Sequence, residues 1–88
     1  MNIEVLKSFE KDIAKVRNKA LSIKVLATIK SIETCQNLSE IPHLKKMIGY
    51  ERYYRIKLGE YRIGLKIEKD NVTLIRFMDR KDIYKYFP

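Results

Sequence analysis

Between Tyr53 and Ile67, apolar and polar residues alternate with few interruptions. Successive side chains of a strand point to opposite faces, so this alternation predicts two strands joined at Gly59-Glu60. Tyr54, Ile56, Leu58, Tyr61, Ile63, Leu65 and Ile67 fall to one face; Tyr53, Arg55, Lys57, Arg62 and Lys66 fall to the other. Glycine as the first residue of a two-residue link suits a type II′ hairpin turn. Upstream, the period changes. Ile3 and Val5 flank Glu4 and predict a short strand over residues 2–6. Phe9, Ile13 and Val16 then recur at helical spacing, with Ser8 placed to cap that helix and Glu10 and Asp12 in its first turn. Arg17-Asn18-Lys19 interrupts the stripe, after which Leu21, Val25, Ile29 and Ile32 predict a second helix ending near Gln36.

Pro42 forbids a continued helix through the next segment, and Lys45 to Gly49 reads as a short strand. Glu68-Lys69-Asp70-Asn71 predicts a second turn, with Asp and Asn the residues that tolerate a left-handed backbone. Val72 to Met78 predicts the last strand, with Thr73, Ile75 and Phe77 on one face and Val72, Leu74, Arg76 and Met78 on the other. The tail from Asp79 is too short for more than a helical turn. The resulting order, β-α-α-β-β-β, predicts an α+β fold: a two-helix antiparallel hairpin packed on one face of a small antiparallel sheet. Residues 1–88 form a single domain, and the second face of the sheet is open to water and carries the cations.

Charge sharpens this picture. The chain has 19 Lys and Arg against 11 Asp and Glu, a net charge of +8. Residues 44–88, the predicted sheet, hold 12 of the basic and 6 of the acidic side chains. A basic half that is also a sheet suggests a polyanion or an acidic protein as partner; the plainer alternative is a solvated basic surface. Cys35 is the only cysteine, which excludes an internal disulfide and a cysteine-based metal site and suits a buried filler. No apolar run approaches the length of a membrane span, and charged residues interrupt the N-terminus, so no membrane role and a cytoplasmic location are expected. The glycines match no phosphate-binding loop. His43 is the only histidine and follows Pro42 in a loop, where an ordinary surface role is expected. No metal and no cofactor are expected.

Arginine, lysine and tyrosine remain, and they suffice for one reaction class. Cleavage of RNA by its own 2′-OH requires alignment, cations around the developing phosphorane charge, and groups that move protons. Arginine offers a bidentate fork to phosphate, a lysine among other cations can act as a base, and tyrosine can stack on a base. Composition alone favours the plainer reading, in which the tyrosines pack and the cations only bind.

Three segments alter that balance. A helical hairpin precedes Leu44-Lys45-Lys46, which leads into Tyr54-Arg55-Ile56-Lys57-Leu58-Gly59-Glu60-Tyr61-Arg62-Ile63. A later strand is followed by Arg80-Lys81-Asp82-Ile83-Tyr84. As a set, over nearly the whole length, they resemble the RelE/ParE superfamily of bacterial type II toxin–antitoxin systems. The resemblance implies a RelE-like fold and, in the RelE branch, an endonuclease that cuts mRNA in the ribosomal A site and is neutralised by a cognate antitoxin. By the same resemblance Arg55 and Lys57 line the cleavage site, with Lys57 the better candidate base. Arg62 holds the scissile phosphate, Arg80 stands near the arginine that protonates the leaving group, and Tyr84 contacts the codon. Lys45, Lys46, Arg76 and Lys81 are further cations expected to bind RNA. The implied partners are antitoxin, ribosome and mRNA, with operator DNA reached only through the antitoxin complex. Two departures stand out: Asp79 occupies the place of a common histidine, and Glu40 lies near, without a secure alignment to, a loop glutamate some relatives use. A histidine-based mechanism is therefore not expected. A ParE-like gyrase inhibitor without nuclease activity, and a degenerate antitoxin-binding module, stay open as alternatives.

Overall fold

The computed structural model describes all 88 residues, Met1–Pro88. Strand β1 (Asn2–Val5) is followed by helices α1 (Lys7–Ala14) and α2 (Lys19–Thr34) and a 3₁₀ turn at Leu38–Glu40. Strands β2 (Leu44–Lys46), β3 (Tyr53–Leu58), β4 (Tyr61–Glu68) and β5 (Asn71–Asp79) come next, and the short helix α3 (Ile83–Tyr86) closes the chain. The five strands form one sheet in the order β1-β5-β4-β3-β2. β2 to β5 are an antiparallel meander, as their short links dictate. β1 differs from expectation: it lies parallel to β5 at the sheet edge, because the two helices carry the chain back before the meander begins.

The apolar alternation sorts as expected. Ile56, Ile63, Leu65 and Ile67 share a buried core with Phe9, Val25, Ile32 and Phe77, and Tyr54, Leu58 and Tyr61 pack against it. α2 turns Val25 and Ile32 inward and leaves Ile23 and Leu26 outside. Asn18 breaks the helical stripe by capping α2, its side-chain oxygen accepting the Leu21 N–H at 3.1 Å. Ser8 does not cap α1. Leu6 holds that position without a side-chain bond, and the Ser8 hydroxyl donates instead to the Ile75 carbonyl at 2.6 Å.

That bond belongs to the main irregularity of the sheet. Gly64 pairs with Arg76 but Leu65 pairs with Leu74, so Ile75 is an extra residue, a β-bulge. The face assignment of β5 therefore changes partway: Val72 and Leu74 join Phe77 in the core, while Ile75 and Met78 pack on the opposite side. Asp12 of α1 satisfies the polar groups the bulge frees. Its buried carboxylate accepts the Phe77 N–H at 2.9 Å and the Arg76 guanidinium at 2.7 and 3.2 Å.

The second face is not wholly open. Ile83 and Phe87 fold back over it and form a small cluster with Met47, flanked by Tyr53, Ile75 and Met78. Phe87 lies where a side chain on Gly64 would be: a Cβ there would sit 2.8 Å from the ring. Of the two hairpin turns, Gly59 has φ 59° with Glu60 outside the left-handed region, as type II′ requires. In the other turn the left-handed residue is Lys69, φ 54°, and not Asp70 or Asn71. No helix is long and apolar enough to cross a membrane.

Candidate functional site

The cationic face divides into two neighbouring groups along β3. In the first, Lys45 of β2 pairs across the sheet with Arg55 of β3, and both line a cleft of about 370 Å³ together with Lys46 and Tyr84. Tyr84 reaches the cleft from α3 and is 56% exposed. The cleft contains no carboxylate, and neither lysine nor Arg55 has an ion-pair partner. Its remaining walls are Met47, Ile48, Tyr50 and Phe87. The strand expected over residues 45–49 ends at Lys46, so Met47 and Ile48 lie in a turn instead, and the alternation marks none of the four as a wall of the cleft. Gly49 marks the turn that presents Ile48 and Tyr50, but nothing nearby in sequence announces that the tail returns to supply Phe87.

The second group lies one strand step further, at the Gly59-Glu60 turn. Lys57 is exposed and pairs across the sheet with Arg62. Arg62 corrects its expected exposure: it is 9% accessible, with one terminal nitrogen donating to the Gly59 and Tyr61 carbonyls at 2.7 and 2.9 Å. Its Nε is buried and has no partner. Arg80 joins the same end of the sheet, its N–H donating to the Glu60 carbonyl and its guanidinium pairing with the Glu60 carboxylate at 2.9 Å. Both side chains of that pair are largely exposed, so water and salt screen it and it contributes little to holding Arg80.

Two further expected RNA ligands fall outside these groups. Arg76 is turned by the bulge toward α1 and is consumed by Asp12; that hydrogen bond and charge hold its pKa above the ordinary arginine value despite partial burial. Lys81 sits in the turn before α3, where its N–H donates to Asp79 at 2.8 Å. Asp79 accordingly has a local task, closing the turn that launches α3 and with it Tyr84. His43 lies away from the cleft, in a hollow beside Ala27, Thr28 and Pro42. Cys35 is buried, as a filler would be.

A family model described as the ParE toxin of type II toxin–antitoxin system, parDE, matches residues 3–84. Toxin RelE3 of Methanocaldococcus jannaschii is 39% identical, and the alignment covers 100% of both chains. Among solved structures, a chain of the RelB–RelE antitoxin–toxin complex from Methanococcus jannaschii superposes with a TM-score of 0.80 at 33% identity, covering 96% of this chain and 98% of that one. A chain of the archaeal RelE–RelB complex from Pyrococcus horikoshii gives 0.72 at 19% identity over 90% and 93%, a likeness of fold.

Proposed function

Because the chain belongs to the ParE toxin family of type II toxin–antitoxin systems, within the RelE/ParE superfamily, we propose that it is the toxin of a RelBE-type pair. Its proposed action is to stop translation by cutting mRNA at the ribosome, and its antidote is a cognate antitoxin of the RelB kind found with its structural relative. The observation that carries the nuclease reading is the cleft without carboxylates, where Lys45, Lys46, Arg55 and the exposed Tyr84 meet. An RNA strand needs that combination: cations for its phosphates and an aromatic face for an unstacked base.

The chemistry is assigned to the neighbouring group. The neutral Lys57 amine takes the proton of the 2′-OH, whose oxygen attacks the adjacent phosphorus to form a 2′,3′-cyclic phosphate as the bond to the 5′-oxygen breaks, and that oxygen takes a proton from water and leaves as a hydroxyl. Arg62 and Arg80 supply positive charge to the phosphorane and to the departing oxygen. Arg62 suits this task because its buried guanidinium has no carboxylate to neutralise it, and charge in a low-dielectric site acts strongly on charge developing beside it.

The test is macromolecular synthesis after induction in a growing culture. Incorporation of labelled amino acid is expected to stop first, with thymidine incorporation following later. Early arrest of thymidine incorporation with translation intact overturns the reading in favour of a gyrase inhibitor.

A further inference from the structure

The cleft is lined by two exposed tyrosines, Tyr50 and Tyr84, of which only Tyr84 has a role in the proposed cleavage. Tyr50 closes a tight turn: its N–H donates to the Met47 carbonyl at 3.3 Å, and Gly49 has the φ of 86° that a type II turn requires at its third residue. The Met47 N–H donates to the Tyr53 carbonyl at 2.8 Å, which ties the loop to the sheet. The Tyr50 ring stands edge-on to Tyr53 at 6.0 Å, and Tyr53 stands likewise to Phe87 at 5.8 Å. The ring is thus held from one side, yet it is 48% exposed. Tyr84 lines the same cleft, and no stacked or edge contact joins the two rings.

Two aromatic surfaces with unpaired cations beside them fit one class of ligand best. An acidic peptide would satisfy Lys45 and Arg55 but offer nothing flat to the rings. A nucleic acid duplex would present phosphates while keeping its bases stacked and out of reach. A single strand supplies both groups together, and aromatic stacking is tolerant of which base is offered. We infer that Tyr50 is a second stacking platform: one unpaired base of RNA enters the cleft between Tyr50 and Tyr84, with its phosphate on Lys45 and Arg55. This rests on the RNA-cutting reading and adds a residue that selects unstacked RNA.

The probe is a fluorescein-labelled 2′-O-methyl RNA hexamer, which binds as RNA but has no free 2′-OH with which to be cut. Its anisotropy is titrated with the full chain at low salt. Tyr50→Ala is expected to weaken binding about tenfold, and Tyr50→Leu, which fills the loop without a ring, falls with it. Tyr50→Phe recovers most of the affinity. Tyr86→Ala removes a tyrosine of similar exposure, 60%, outside the cleft and leaves binding as it was. Wild-type binding that survives Tyr50→Leu overturns the inference and leaves the toxin reading standing. A hexamer that wild type does not bind overturns it too; if wild type then also fails to cut mRNA on programmed ribosomes, the RNA-cutting reading falls with it, while the family membership stands.

Discussion

Arg62 is nine-tenths buried with no counter-ion, an arrangement that works against folding, because a buried charge is worth less to stability than an apolar side chain of the same shape. Its stem still fills space, and its terminal nitrogen ties the hairpin turn. Arg62→Met keeps the volume and removes the charge, so it is expected to melt within a few degrees of wild type or above it. Arg62→Ala leaves a gap and lowers stability by about 1–3 kcal/mol. Both are expected to abolish growth inhibition. Thermal unfolding together with a growth assay checks this, and an Arg62→Met protein that cannot fold contradicts it. His43 gives the opposite case. It is exposed, left-handed at φ 60°, and lines a different hollow from the cleft. His43→Ala is therefore expected to cut RNA like wild type. Loss of cleavage in His43→Ala would reassign the base.

The hairpin of β3 and β4 was legible from sequence because its alternation holds within each strand and its turn residue is glycine. β5 was not, since a bulge switches its faces at Ile75, and the groups that make the bulge affordable lie on α1, Asp12 being 64 residues from Arg76. A period-2 pattern has no means of registering a partner so distant: it puts Arg76 on the face of Val72 and Leu74 and gives no sign that Asp12 takes it up. Asp12→Ala tests the assignment. It strands a buried Phe77 N–H and a half-buried guanidinium, and is expected to remove about 3 kcal/mol of stability. Activity at a permissive temperature persists, because Asp12 lies on the helix side of the sheet. The C-terminal segment was hidden in another way: Phe87 finds its place on Gly64 only once the sheet exists. In Gly64→Ala the new methyl displaces the Phe87 ring. Cleavage is expected to drop tenfold or more, at about the level a misplaced substrate contact produces, with a smaller effect on the main core. Unchanged cleavage would show that the tail does not position Tyr84.

At the scale of the molecule, the net charge of +8 is concentrated on the sheet half, and helix α2 exposes Ile23 and Leu26 outside the core. An acidic antitoxin that lays an apolar helix against the protein would complement both features. Its association rate is expected to fall as salt rises, with a smaller change in dissociation, because steering is screened over about 10 Å at 0.1 M salt. Stopped-flow binding at several salt concentrations measures this, and an association rate indifferent to salt contradicts it. RNA, as the proposed substrate, would meet the same charge distribution, so antitoxin and message are expected to compete for one face.

The most direct test of RNA cleavage at this face is single-turnover cutting of mRNA on purified ribosomes carrying a defined A-site codon, with products mapped by primer extension. Wild type is expected to cut within that codon. Lys57→Ala is expected to slow the step by about 10²-fold or more, Arg55→Ala and Tyr84→Ala to weaken it, and all three to melt like wild type, since they lie outside the buried core. Intact message with wild-type protein, under conditions where the same preparation blocks gyrase supercoiling, would contradict it.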